Sequence, residues 1–124
     1  KFPDNKEIIL SIGNAYNNLN DFENAMKWFN KLDIADIGNI DTLYNIGVIS
    51  YNNSEFDKAI TFFKKATEIN PEFADGYFQL GMTYVAQEKN KEGVAALKKF
   101  MELAPASPNF DAAKSVVEAF EAEK

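Results

Sequence analysis

The residues best placed to do chemistry are three carboxylates at one fixed interval, Glu7, Asp41 and Asp75. Asp41 and Asp75 could work as acid and base if a fold brought them together. Little else supports such a role. There is no His and no Cys, so imidazole bases, thiolate nucleophiles and the usual zinc ligands are missing. All 13 basic residues are Lys, and Arg, the better bidentate phosphate ligand, never occurs. The net charge of −6 argues against a nucleic-acid partner, because that affinity comes mostly from cations that neutralise phosphates. A carboxylate in the first turn of a helix complements the helix dipole, which accounts for all three acids without catalysis. The sequence therefore predicts no enzyme, no metal and no cofactor.

The interval that separates those acids runs through the whole chain. Gly13, Gly47 and Gly81 lie 34 residues apart, as do Ile12, Ile46 and Leu80 before them. Pro71 and Pro105 share the spacing and Pro3 falls one period further upstream, while Ile37 breaks that series. Such a period marks a solenoid of stacked units. The stretch Ile40 to Phe73 carries the pattern most fully: Ile46-Gly47, then Ala59 and Phe63, then Pro71. It resembles the tetratricopeptide repeat (TPR), a helix–turn–helix unit, and the resemblance covers all of the chain except a C-terminal helix. It implies an all-α, right-handed superhelical solenoid of about seven helices that serves as a protein–protein interaction scaffold.

Residue spacing fills in the units. Ile9, Ile12 and Tyr16 place an apolar stripe on one helix, and Ala25, Phe29 and Leu32 place the matching stripe on the next. Leu43 and Ile46, then Ala59, Phe63 and Ala66, repeat the arrangement; Tyr77, Leu80 and Tyr84, then Gly93, Leu97 and Phe100, do so again. Asn20 with Glu23, and Ser54 with Asp57, are expected to cap the second helices. Glycine in a helix interior costs roughly 0.5–1 kcal/mol against Ala. Three in register therefore imply close contact between paired helices, with Ala25 and Ala59 small on the facing side. Ser50 stands where Tyr16 and Tyr84 supply an aromatic, and Gly93 and Phe100 exchange small for large along one stripe. Ser107-Pro108 is expected to open a last helix, with Ala113, Val116, Val117 and Phe120 inward and Asp111, Lys114, Glu118 and Glu121 outward. Such a helix would cover the end of the stack.

The length suits one domain. Its expected extent is residues 1–124, with repeats at about 6–39, 40–73 and 74–107 and a capping helix at about 108–122. Lys1 to Asn5 reads in two ways, as the tail of a preceding repeat or as a local cap built on Asp4 and Glu7. The 46% hydrophobic and 26% charged residues match ordinary globular composition. No apolar run approaches the roughly 18 residues of a membrane span, so no membrane partner is expected, and no compartment is assigned.

The resemblance also implies a partner-binding groove lined by the first helix of each unit. Its positions here are Glu7, Leu10, Ser11, Asn14, Asn17 and Asn18, then Asp41, Tyr44, Asn45, Val48, Tyr51 and Asn52, then Asp75, Phe78, Gln79, Met82, Val85 and Ala86. The implied partner is a protein or peptide with apolar anchors, and with basic residues toward Glu7, Asp41 and Asp75. One TPR subgroup holds acidic chaperone tails in a carboxylate clamp. Asn14 and Asn45 match that clamp, but Leu10, Asp75 and Gln79 stand where its cations are needed, so the clamp is not expected. Lysines instead gather on the second helices (Lys27, Lys31, Lys64, Lys65, Lys98, Lys99), as a solvated outer face. The alternative reading is a structural or self-associating segment of a longer array, joined through an N-terminal face with Phe2 and Ile8 exposed.

Overall fold

The computed structural model describes residues 5–122, and among these the chain is helical with no strand. Three helix–turn–helix units come first: α1 (Lys6–Asn18) with α2 (Phe22–Phe29), α3 (Ile40–Asn52) with α4 (Phe56–Ile69), and α5 (Ala74–Ala86) with α6 (Asn90–Leu103). The last helix is α7 (Phe110–Glu121). Asp4, Pro3 and Phe2, which bear on the reading of the N-terminus, lie outside the described residues. The first cap that can be seen is Asn5, whose side-chain oxygen accepts the Ile8 N–H at 3.1 Å.

Successive first helices touch directly, α1 on α3 and α3 on α5, while α2 packs on α3 and α4 on α5. The first helices therefore form an inner layer and the second helices an outer one. Glycines set the gap between the layers. A Cβ on Gly13 would lie 2.5 Å from the Phe29 ring, and one on Gly47 would lie 2.5 Å from the Phe63 ring. The close neighbour is thus the phenylalanine four residues beyond each facing alanine, although Ala25 and Ala59 are themselves fully buried. The third unit solves the problem differently. Gly81 faces Leu97 and the Gly93 carbonyl, and Gly93 faces the Gly81 carbonyl, so backbone meets backbone. Phe100, fully buried, packs on Phe78 at 5.0 Å between ring centroids.

Several turn expectations are corrected. Asn20 and Ser54 are not N-caps: they and Glu88 all adopt φ 63, one period apart. In each turn the left-handed residue donates its N–H to the carbonyl three residues back (Asn17, Tyr51, Val85). The next residue donates to the carbonyl five back (Tyr16, Ser50, Tyr84). That double closure ends the first helix and leaves its left-handed residue one place too early to cap the second. Asp21 caps α2 instead: it accepts the Asn24 side-chain amide at 2.8 Å and the Asn24 N–H at 3.2 Å, and these bonds hold its carboxyl below the usual range. Glu55 begins α4 without a side-chain cap. Likewise Ser107 accepts the Asn109 N–H at 3.1 Å, but α7 starts only at Phe110, so Pro108 lies in the preceding turn.

The first unit departs most from its siblings. The helix α2 stops at Phe29, so Leu32 lies beyond it, and a 3-10 turn over Ile34–Asp36 follows. Ile37, which interrupts the proline series, is almost wholly buried among Ala25, Phe29, Leu43 and Ile46. It fills core space that longer second helices fill elsewhere. At the other end, Ala113 and Val117 of α7 are buried against Leu97 and Phe100. Glu121 does not simply face water, because it pairs with Lys98.

Candidate functional site

The inner face carries two adjoining depressions. One, of about 420 Å³, is lined by Asn14, Asn18, Asn39, Asp41, Thr42 and Asn45. The other, of about 290 Å³, is lined by Asn17, Asn20, Phe22, Tyr44, Asn45, Val48, Ile49, Asn52 and Gln79. Asn45 belongs to both. Helical spacing explains the convergence, since positions three or four apart on α1 and α3 share one face.

Two hydrogen bonds fix this surface across the units. The Asn14 amide donates to the Thr42 hydroxyl oxygen at 3.2 Å, tying α1 to α3. The Gln79 amide donates to the Tyr44 phenolic oxygen at 3.2 Å, tying α3 to α5. Burial pushes the Tyr44 hydroxyl above its ordinary pKa, the Gln79 bond opposes that shift, and the Asp75 charge adds to it. Tyr44 therefore remains a neutral phenol. By contrast, the side-chain amides of Asn17, Asn18, Asn45 and Asn52 make no hydrogen bond within the described chain. Each offers a donor pair and an acceptor to whatever lies against the face.

The remaining groove positions divide by how far they are committed to packing. Leu10 packs on the core of the first two units, and Val48 and Tyr51 on the Ala59–Phe63 core. Tyr44 meets Phe73 edge to face and Phe63 at a tilt, Tyr51 meets Phe56 edge to face, and Phe78 is tilted against Phe100. Met82 leans on the Leu97–Phe100 core, and Val85 lies over Gly93 toward the outer layer. Glu7, Asp41 and Asp75 are exposed in the first turns of α1, α3 and α5, as their dipole role requires. Of these acids only Asp41 lines either of the two depressions described above.

Sequence reasoning missed Asn39, Thr42, Ile49, Asn20 and Phe22 as lining residues. Asn39 caps α3, accepting the Thr42 N–H at 3.1 Å. Phe22 belongs to a second helix, outside the positions that the repeat assigns to the groove. An Asn immediately before a helical pattern could have signalled Asn39; no comparable signal marks Phe22.

Residues 7–33, 40–73 and 62–95 each match a model of the tetratricopeptide repeat. The chain belongs to the TPR family. The match over 7–33 ends where α2 gives way to the irregular segment, and that over 62–95 begins within α4 and ends within α6. A peroxisomal targeting signal receptor of Candida albicans is 37% identical over 65 residues, 52% of this TPR chain and 11% of the receptor. The match thus covers a small part of that relative. Among solved structures, the crystal structure of MamA superposes with a TM-score of 0.73 at 26% identity, covering 98% of this chain and 70% of MamA. The type III secretion chaperone SycD of Yersinia enterocolitica, in complex with a peptide of the translocator YopD, gives a TM-score of 0.77 at 18% identity, covering 97% and 95%. At that identity the likeness is one of fold.

Proposed function

We propose that this TPR chain is a protein-interaction scaffold that holds a peptide or helix of a partner protein against its inner face. The observation that carries this reading is the set of amides at Asn17, Asn18, Asn45 and Asn52, none bonded within the described chain, beside half-buried Tyr44 and Val48. Amides of this kind pair with a peptide backbone and demand no particular sequence. Val48, Tyr51 and Met82 supply apolar contact, with Tyr44 and Phe78 offering only the part of each ring that packing leaves open. Glu7, Asp41 and Asp75 favour Lys or Arg on the partner and act mainly on association rate. SycD, which has this fold, is in complex with a peptide of YopD, which supports a peptide-binding reading.

Peptides selected from a displayed random library on the immobilised chain supply the ligand, and titration calorimetry reads its affinity. Asn17→Ala with Asn45→Ala should weaken binding at least about tenfold at unchanged melting temperature. Lys64→Ala with Lys65→Ala, on the outer layer, should change nothing. A library that yields no binder, or a binder lost only by the lysine variant, would remove the proposal.

A second reading rests on Ile8. It occupies the third position of its unit, where Thr42 and Gly76 are buried against the preceding unit, yet it is 42% exposed. The chain then stands as a segment of a longer array, or of one that self-associates, with its first stacking face uncovered. Small-angle scattering of the isolated chain beside Ile8→Ser tests this: an extended end-to-end dimer that Ile8→Ser loses would favour it, and a dimer that Ile8→Ser keeps, or a monomer, would remove it.

A further inference from the structure

Leu19, on the short turn between α1 and α2, is 75% exposed, and Phe22, which opens α2, is 44% exposed. The corresponding turns hold polar Asn53 and Gln87 in the place of Leu19, and Phe56, in the place of Phe22, meets Tyr51 edge to face. The apolar tip is rigid, because the bonds from Leu19, Asn20 and Asp21 back into α1 close the turn. Acidic Asp21 and Glu23 flank it. At the far end of the stack, a cleft of about 300 Å³ lies between α6 and α7. It is lined by apolar Val94, Ala95 and Phe120 and by polar Asn90, Lys91, Lys98 and Glu121. Lys98 is paired with Glu121, whereas Lys91 has no ion-pair partner among the described residues.

We propose that copies of this chain associate head to tail, the α1–α2 turn of one seated in the α6–α7 cleft of the next. The two surfaces are complementary in kind: an exposed apolar tip flanked by Asp21 and Glu23, and an apolar cleft whose Lys98 is matched by Glu121 and whose Lys91 is left to meet an acid. Apolar burial supplies the affinity, and the opposite charges set orientation and rate. Because the surfaces differ and lie at opposite ends, the contact is heterologous and does not close at two. The inner face takes no part, apart from Phe22 at the border of one depression, and the proposal stands independently of the peptide groove. It is also distinct from stacking through Ile8.

Sedimentation of the full chain, from low micromolar to the limit of solubility, tests the proposal. The weight-average mass should rise with concentration past the dimer, and rise less at high salt. Leu19→Asp and Ala95→Glu alter exposed side chains, so circular dichroism should find both folded. Each should associate at least about tenfold more weakly than the wild type. Mixed in equal amounts, they should form a heterodimer and nothing larger, since one retains the cleft and the other the tip. Ile8→Ser should associate as the wild type does. A chain monomeric at every concentration overturns the proposal, as does a wild type that stops at the dimer. So does a mixture that stays monomeric, or assembly lost with Ile8→Ser and kept with Leu19→Asp.

Discussion

The inner and outer layers are built from the same repeat, yet they use their side chains in opposite ways. On the outer helices the apolar residues turn inward, Phe22 and Ile69 excepted, and the lysines lie outward, so packing and surface are largely separate. On the inner helices the two tasks overlap. Tyr44 is part of the core through Phe63 and Phe73, and through its hydroxyl also part of the face beside Asn45. The amides of Asn17, Asn18, Asn45 and Asn52, and the exposed acids Glu7, Asp41 and Asp75, carry no such packing duty. A change on the inner face therefore alters folding and binding together unless it is confined to those residues, whereas an outer lysine can be removed at little cost.

The largest effect should come from removing residues 107–124, which uncovers Leu97 and Phe100 on the outer layer. The truncated chain should aggregate or dimerise, read by light scattering; a soluble monomer of unchanged melting temperature would show that α7 is no cap. Next comes the spacing between the layers. Gly47→Leu drives a side chain into the fully buried Phe63 ring and should cost at least about 1–3 kcal/mol in chemical denaturation. A loss within error of zero would remove the close-approach account of the glycines. The third unit suggests a remedy, since Leu97 stands there in place of the ring. Phe63→Leu should offset part of the cost of Gly47→Ala, a coupling of about 1 kcal/mol, and strict additivity would deny that the two packings are interchangeable.

The smallest effect concerns acid. Lys6 donates to Asp36 at 2.8 Å, which raises the lysine pKa and holds the carboxyl below its ordinary value of 3.8. A depressed carboxyl stabilises the fold above its unfolded pKa and loses that contribution as pH falls through the folded value. Thermal melts below about pH 4 should therefore fall less steeply in Asp36→Asn than in the wild type. Equal slopes would mean that this exposed pair does nothing.

The repeat, the order of helix pairs and the buried stripes were legible because periodic apolar spacing reports directly on which face is covered. The ends of the elements were not. Ser54 and Asn20 suit an N-cap by composition, but the tight closure of the first helix claims them before the second begins. Ile37 looked like a flaw in the proline series, and its burial depends on α2 stopping at Phe29, a tertiary event. The groove positions came from family resemblance, which assigns places on the first helices. It could not reveal that Phe22 of a second helix joins the face, or that Val85 turns toward Gly93.

The central claim is that a partner lies along α1, α3 and α5. Backbone amide shifts of the isotope-labelled chain, recorded by NMR while a library-selected peptide is added, test it residue by residue. The account predicts shifts concentrated at Asn14, Asn17, Asn45, Val48 and Asn52, with Lys64, Lys65, Lys98 and Lys99 unmoved. Shifts confined to the lysine-bearing outer helices would contradict it.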